Sequence, residues 1–461
     1  MSVFKPWPHQ LQTAGFCASS NIGFDMSDPG TGKTSSHLMA FEERVKAATA
    51  KRALVVCPKT LMRSAWGNEI DKNFPRLSYA LADAGKRAEA FGFNTPVVIV
   101  NTDGVKDLAK QPRLLKGFTD IIIDESTTFK HASSQRSKAA LKLSGLFENR
   151  YLLTGTPNAN SVTELWHQVK MLDGGQRLGP SFFQFRNAVQ ESVQVGSMPN
   201  MLKWHDKPDA LEAVFSLIKD ITIRHAFEDV MQHVPPNHIT RYDFDLKPSL
   251  MKQYKSLEAT CVLAIKDVGI TAVHAAALRT KLLQLASGAV YTETGKYTVL
   301  DTQRYELGAD LVEQHQHSIM FFNWTHQRDQ METMFKKRGI AYAVIDGSVA
   351  QKNRDQIVAD FQSGKYQTIL LHPRTGAHGL TLTLGEACIL LSPIYEADLL
   401  KQAIHRIYRG TQNKVTNTIL VQARGTVEDL VYDRRLEKTN NMNDFLALAV
   451  QAQARRSTHA K

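Results

Sequence analysis

Ser27-Asp28-Pro29-Gly30-Thr31-Gly32-Lys33-Thr34 closes on Gly-Lys-Thr, the end of the phosphate-loop (Walker A) pattern G-x-x-x-x-G-K-[ST]. Each letter has a physical task. Glycines let the backbone turn tightly enough for several N–H groups to point inward at phosphate oxygens. Lys33 brings a point charge to the outer phosphates, and the Thr34 hydroxyl offers a ligand to Mg²⁺. Thr34 to Ala50 has helical spacing and few breakers, so a helix N-terminus adds its dipole to the same loop. Ser27 stands where the pattern asks for its first glycine.

Outward from this loop, apolar runs of strand length alternate with helical patterns. They are Ala53–Cys57, Pro96–Asn101, Asp120–Asp124 and Tyr151–Thr154, then Ser318–Asn323, Ala341–Asp346, Thr368–His372, Ala387–Ser392 and Thr418–Gln422. Such continuous Val/Ile/Leu runs predict parallel strands buried on both faces and joined by crossover helices. Two sets predict two α/β lobes. From Gly174 to Gln314 the rhythm breaks, with long helical stretches at Leu211–Ile221 and Leu250–Ala286. Val234-Pro235-Pro236-Asn237 is the linker signal, since paired prolines stop a helix and stiffen an extended connection. The expected division is 1–236 and 237–461, with helical insertions at about 174–234 and about 248–314, and a tail from Thr439 that turns basic at Arg455–Lys461.

Composition narrows the class. The 461 residues are 43% hydrophobic and 22% charged, as in soluble chains of two or three domains, and the net charge of +11 leans toward a polyanionic partner. Cys17, Cys57, Cys261 and Cys388 lie far apart without a C-x-x-C, which argues against a disulfide framework or zinc ribbon and for a reducing compartment. Met1–Pro6 lacks the apolar core of a signal peptide, and no apolar run approaches the ~20 residues of a spanning helix, so a cytoplasmic protein without a membrane partner is expected. His315-Gln316-His317 reads as a solvated stretch, because alternate residues on a helix diverge, and Trp324 beside an apolar run reads as packing.

Two further motifs carry chemistry. Ile121-Ile122-Ile123-Asp124-Glu125 is an apolar strand ending in two acids, the Walker B arrangement, in which Asp124 holds Mg²⁺ and Glu125 orients or deprotonates the attacking water. Thr154-Gly155-Thr156-Pro157-Asn158 follows the strand at Tyr151-Leu152-Leu153 and, after Walker A and Walker B, looks like the coupling motif of superfamily 2 nucleic-acid motors.

With these in order, the chain resembles the Snf2 family of DNA-dependent ATPases. Pro8-His9-Gln10-Leu11 is similar to that family's P-Y-Q-L adenine-recognition element, and Asp28–Thr34 to its E-M-G-L-G-K-T, a family that also lacks the first Walker glycine. Val56–Leu61 with Trp66 and Glu69 resembles motif Ia, and Asp124–Thr127 with Lys130 resembles D-E-[AS]-H-x-x-K. Thr154–Asn160 with Glu164-Leu165-Trp166 is similar to T-G-T-P-x-x-N and E-L-W, while Arg224, Asp229 and Pro235-Pro236 match the close of the first lobe. In the second half, Met320–Thr325 looks like motif IV, Ile345–Ser348 like L-D-G-S, Gly376–Leu382 like G-G-x-G-L-N-L, and Gln402–Gln412 like Q-A-x-D-R-x-H-R-x-G-Q. Thr127, His405 and Tyr408 depart from the pattern, as does Gly376-Ala377, but no group required for hydrolysis is lost.

The resemblance implies an α/β protein of two tandem RecA-like lobes with parallel sheets and a Snf2-type helical insertion between them. It implies Lys33, Asp124, Glu125, Arg406 and Arg409 as catalytic residues, and Gln10, Asp28, Gly30, Thr31, Gly32, Thr34 and Gln402 at ATP, with Mg²⁺ on Thr34 and Asp124. Coupling falls to Thr154, Gly155, Thr156 and Gly379, and DNA-backbone contacts to Lys59, Thr60, Thr102, Thr325, Arg374 and Thr375. Arg406 and Arg409, at i and i+3, are expected on one helix face. The implied activity is ATP-driven translocation on duplex, forked or branched DNA without sequence preference, by a monomer of bacterial or phage-infected cytoplasm. The alternatives are a catalytically silent DNA-binding scaffold and an RNA-directed superfamily 2 helicase.

Overall fold

The structure is a computed structural model that describes residues 4–158, 160–194, 201–267, 272–376, 379–394, 396–429 and 432. Ala377 and His378 of the G-G-x-G-L-N-L-like run, Ala159 of the coupling segment and the basic tail lie outside the described residues. The chain's contacts divide it between Gln232 and His233.

The first unit is built on seven strands: β1 (Ile22–Asp25), β2 (Ala53–Cys57), β3 (Tyr79–Ala82), β4 (Val97–Asn101), β5 (Asp120–Asp124), β6 (Asn149–Leu153) and β9 (Thr222–Ile223), in the order β3-β4-β2-β5-β6-β1-β9. Every pairing is parallel. Alternation along the strands sorts their apolar side chains onto two faces. Phe24, Leu54, Val56, Val98, Ile121, Ile123 and Leu152 join one core, and Val55, Cys57, Ile99, Ile122, Tyr151 and Leu153 the other.

β1 was not among the expected strands. Its four residues, Ile-Gly-Phe-Asp, contain a glycine and an acid that dilute β propensity, yet it lies buried between β6 and β9. Tertiary pairing overrides the local preference. Helix α1 (Pro8–Ser19) precedes β1, and α2 (Lys33–Lys46) follows it.

Both helical insertions also contain strands. In the first, the antiparallel pair β7 (Gln190–Gln194) and β8 (Leu202–Asp206) stands between helices Phe182–Val189 and Ala210–Ile218. In the second unit, β10 (Asn237–Phe244) directly follows the paired prolines and joins a six-stranded sheet at its edge. The long stretch at 250–286 contains two helices, Pro248–Asp267 and Ala272–Ala286, followed by the hairpin β11 (Ala289–Tyr291) and β12 (Tyr297–Val299).

The second sheet adds β13 (Ser318–Phe321), β14 (Tyr342–Ile345), β15 (Thr368–Leu371), β16 (Ala387–Leu390) and β17 (Thr416–Ala423), in the order β10-β17-β16-β13-β15-β14, again all parallel. Its faces separate in the same way: Ile319, Phe321, Ile369 and Leu390 on one side, Met320, Leu370, Ile389 and Val421 on the other. Behind it, the buried pair Arg304–Glu428 (2.7 Å) ties helix Gln303–Glu313 to the segment after β17. Among the described residues, no helix is long and apolar enough to cross a membrane.

Candidate nucleotide and nucleic-acid sites

In a parallel α/β sheet, the loops at the strands' carboxyl ends share one edge, where ligands bind. In the first unit that edge carries, strand by strand, Thr102 after β4, Lys59 and Thr60 after β2, Asp124 and Glu125 at β5, Thr154–Thr156 after β6, and the phosphate loop after β1.

The phosphate loop is fastened on three sides. Asp25, the last residue of β1, accepts the Ser27 N–H on Oδ1 (2.9 Å) and meets His37 Nε2 of α2 on Oδ2 (3.2 Å). Both side chains are buried. Burial opposes charge on each, but His37 holds Asp25 well below the carboxylate range, and Cys17 and Asp25 push His37 up to about 10. On the second side, Arg224 Nη1 pairs with Asp28 (2.8 Å) and the Phe227 N–H donates to Asp28 Oδ2 (2.9 Å). Ser27, the apparent misfit, has a task here: its hydroxyl accepts the His225 N–H at 3.0 Å, which a glycine could not do.

The third side is α1. His9 Nε2 meets the Thr31 carbonyl (2.7 Å), and Gln10 Nε2 donates to Gly32 O (3.3 Å) while its Oε1 accepts the Trp7 N–H. Gly30 and Gly32 have φ of 85° and 81°, and a Cβ at Gly32 would stand 2.2 Å from Gln10 Nε2. A side chain at Gly32 would thus be strained by the left-handed backbone and would displace the Gln10 amide from its bond to Gly32 O. Lys33 folds back, its Nζ donating to the carbonyls of Ser27 (2.7 Å) and Asp28 (3.0 Å).

His225 gives this cradle an acid limit. Burial pushes it down to about 4, and Thr13 Oγ1 bonds its ring at 3.0 Å. Between pH 6.5 and 4 the unfolded chain binds a proton that the folded chain refuses, so stability rises with pH across that window and falls on acidification. The difference between pH 8 and pH 5 is about 2 kcal/mol for this residue. Thermal melts of His225→Asn should show a shallower acid limb than the parent; an unchanged limb would contradict the assignment.

At β5, Asp124 accepts the Glu125 N–H on Oδ1 (3.0 Å) and the Trp66 indole N–H on Oδ2 (2.9 Å). Burial and the neighbouring Glu125 raise Asp124 to about 6, against the pull of Trp66 and Lys33. Glu125 has φ 52° and ψ 51°; among the described residues only Ala48 shares a positive φ without being glycine. A left-handed glutamate costs ~1–2 kcal/mol, and such strain concentrates at functional positions.

The coupling segment touches its neighbours directly. Thr154 N–H donates to Asp25 O (3.0 Å), and a Cβ at Gly155 would stand 2.8 Å from Pro29 Cδ in the phosphate loop. Gln168 joins this segment to the acidic one: its Oε1 accepts Ser126 Oγ–H (2.8 Å) and its Nε2 donates to Pro157 O (2.8 Å). Lys130 pairs with Glu164 at 2.9 Å across the same gap.

In the second unit, Thr325 and Arg374–Thr375 follow the adjacent strands β13 and β15. Thr325 is exposed at the start of helix Thr325–Arg338, and Arg374 forms a surface pair with Glu396 (2.8 Å). Trp324 caps that helix and tilts against Tyr291 (centroids 6.3 Å apart), while His315 and His317 bond the carbonyls of Leu311 and Tyr366.

The expected helix face for Arg406 and Arg409 is corrected. The helix is Ala397–Ile404, with His405 at its C-cap, so both arginines lie in the turns beyond it. Side-chain bonds fix them instead. Arg406 donates to Gln402 O (2.8 Å) and Leu380 O (3.0 Å); Arg409 donates to His405 O (2.8 Å) and Thr381 Oγ1 (3.0 Å). Gln402 is buried in the helix's last turn, and Gly379, with φ 74°, begins the segment that supplies Leu380 and Thr381.

Comparison with known proteins gives the following. Residues 19–291 match the SNF2-related domain and residues 300–411 the helicase conserved C-terminal domain. The protein p41 of Acyrthosiphon pisum secondary endosymbiont phage 1 is 24% identical, over 95% of this chain and 97% of its own length. An uncharacterized ATP-dependent helicase of Mycoplasma pneumoniae is 24% identical over 90% of this chain, which spans only 39% of that longer protein. The Sulfolobus solfataricus SWI2/SNF2 ATPase core in complex with dsDNA superposes with a TM-score of 0.44 at 18% identity, covering 97% of each chain, a likeness too loose to transfer residues.

Proposed function

Because the chain belongs to the SNF2-related family of helicase-type ATPases, we propose that it hydrolyses ATP in response to DNA and uses the energy to move along the duplex. The observation that carries this reading is the shared edge of the first sheet. Phosphate loop, coupling segment, acidic pair and the first unit's candidate DNA-backbone residues follow one another on adjacent strands, which sets them side by side along one edge.

In this reading Lys33 leaves the Ser27 and Asp28 carbonyls for the outer phosphates, Gln10 faces the base, and the N–H groups of Gly30–Thr34 cradle the phosphate chain. The hard oxygen donors of Asp124 and Thr34 fit a magnesium ion, which when bound would neutralise phosphate charge. Glu125 takes the proton of the attacking water, and Arg406 and Arg409 serve the transferring phosphoryl group. Thr154–Thr156 and Gly379 couple turnover to movement. Lys59, Thr60, Thr102, Thr325, Arg374 and Thr375 grip sugar-phosphate, which carries no base identity, so binding is indifferent to sequence and steeply salt-dependent.

Forked or branched DNA is the proposed setting, with the chain acting as a monomer. The test is ATP turnover on single-stranded, duplex, forked and four-way DNA, paired with displacement of a third strand from a triplex. Turnover highest on branched DNA, with triplex displacement, is expected; equal turnover on all four would contradict the preference for junctions, and failure to displace the third strand would contradict translocation.

A further inference from the structure

Trp66 is the largest fully buried side chain among the described residues, and it has one polar atom. That atom, Nε1, donates to Asp124. A buried indole N–H needs an acceptor, and most find a backbone carbonyl or a side chain with no further duty. This one uses the carboxylate proposed to hold magnesium, although Trp66 belongs to the segment that starts at Lys59 and Thr60 on the proposed DNA side.

The connecting backbone is unusual. After Cys57 the chain turns at Pro58–Leu61 and enters a π-helical turn, Met62–Gly67, before helix Asn68–Asn73. The Asn68 N–H is shared between Ala65 O and Arg63 O, the latter an i→i+5 bond. Thr60 is tied to the turn through its carbonyl, which accepts the Ser64 hydroxyl. The turn's outer side is clamped by Arg63, paired with Asp71 (3.0 Å) and lying over the Tyr79 ring (5.7 Å). Gly67 packs so closely that a Cβ there would stand 3.0 Å from Tyr79 Oη. A π turn is a loosely wound register that can tighten to the α register, and tightening would rotate the indole relative to Asp124.

We propose that Trp66 is a positioning residue that couples the Lys59–Thr60 segment to Asp124, through the π turn, so that DNA on one end of the sheet edge and nucleotide on the other bias the same element. The proposal rests on the DNA-dependent ATPase reading above. Coupling between two ligands is reciprocal: if DNA strengthens nucleotide binding by some factor, nucleotide strengthens DNA binding by the same factor. The coupling is therefore readable without turnover.

The experiment measures the dissociation constant for a fluorescent duplex, with and without a non-hydrolysable ATP analogue and Mg²⁺, for the parent, Trp66→Phe and Phe74→Leu. Phe74 is buried in the same core, and no bond to Asp124 links it to the nucleotide side, so its variant reports generic core damage. The parent is expected to show a nucleotide-induced shift of roughly 5–150-fold. Trp66→Phe should bring that factor close to one while its affinity for DNA alone stays near the parent's, and Phe74→Leu should keep it. A Trp66→Phe protein with the parental factor would overturn the coupling role, as would equal loss in Phe74→Leu at matched melting temperature. A parent with no shift at all, together with no DNA-stimulated turnover, would instead overturn the functional reading beneath it.

Discussion

Glu125→Gln is expected to lower DNA-stimulated phosphate release by on the order of 10²–10⁴ while nucleotide binding is kept or tightened. The substitution preserves shape and volume at a residue held left-handed at the end of β5, and its backbone N–H still caps Asp124 Oδ1. Only the ability to accept a proton is removed. The second half of the expectation follows from the electrostatics. Glu125 is a negative charge beside Asp124 and helps to raise it, so neutralising it removes a like charge that would repel a polyanionic nucleotide at the same sheet edge. Pre-steady-state phosphate release and equilibrium nucleotide titration separate the two effects. Weakened nucleotide binding would mean that the glutamate supports the fold rather than the chemistry.

Arg409→Ala should cost on the order of 10³–10⁵ in turnover with a smaller drop in melting temperature than Arg406→Ala, which should cost both. The difference lies in burial and bonding. Arg406 is buried and donates to two backbone carbonyls, Gln402 O and Leu380 O, so its removal strands acceptors at a cost of about 2–4 kcal/mol. Arg409 is partly buried, which pushes its guanidinium down to about 10, but one of its two bonds is to the Thr381 hydroxyl, a group that can turn to water, so its removal strands one carbonyl, His405 O, rather than two. Arg409→Lys should rescue little, because an ammonium lacks the planar fork that spans two phosphoryl oxygens. Parallel melts and single-turnover assays on the three variants check this; full turnover in Arg409→Ala would remove the residue from the reaction.

Much of this architecture was legible in the chain because it rests on local signals. Gly-Lys-Thr before a helical pattern marks the phosphate loop, and short β-branched runs such as Ala53–Cys57 or Asp120–Asp124 read as strands buried on both faces, as they are. What stayed hidden depends on partners distant in sequence. β1 carries Gly23 and Asp25 in four residues and becomes a strand only between β6 and β9. β10 is mostly exposed and polar along its length, the pattern of an edge, and registers only through β17. The strands of the insertions pair locally, as β7–β8 and β11–β12, and stayed hidden because they are short and mostly exposed, with no apolar face to mark them.

The site divides along the same line. Residue types and order announced Lys33, Asp124, Glu125 and Thr154. Nothing local announces that Ser27 accepts from His225, that Asp28 pairs with Arg224, or that Asp25 pairs with a histidine in the phosphate-loop helix. A buried aspartate at the end of β1 and a histidine on the inner face of α2 are signals only when seen together. The arginines show the opposite failure, where a local rule was extended too far: i,i+3 spacing implied a helix face, but the helix ends at Ile404 and tertiary bonds to Leu380 and Thr381 orient them.

The most direct measurement is steady-state phosphate release by the full chain with no nucleic acid, with duplex DNA and with duplex RNA, Glu125→Gln serving as the blank. A DNA-dependent motor predicts low release alone, strong stimulation by duplex DNA, little by duplex RNA, and none in the variant. Release that ignores DNA, responds equally to RNA, or survives in Glu125→Gln would contradict it.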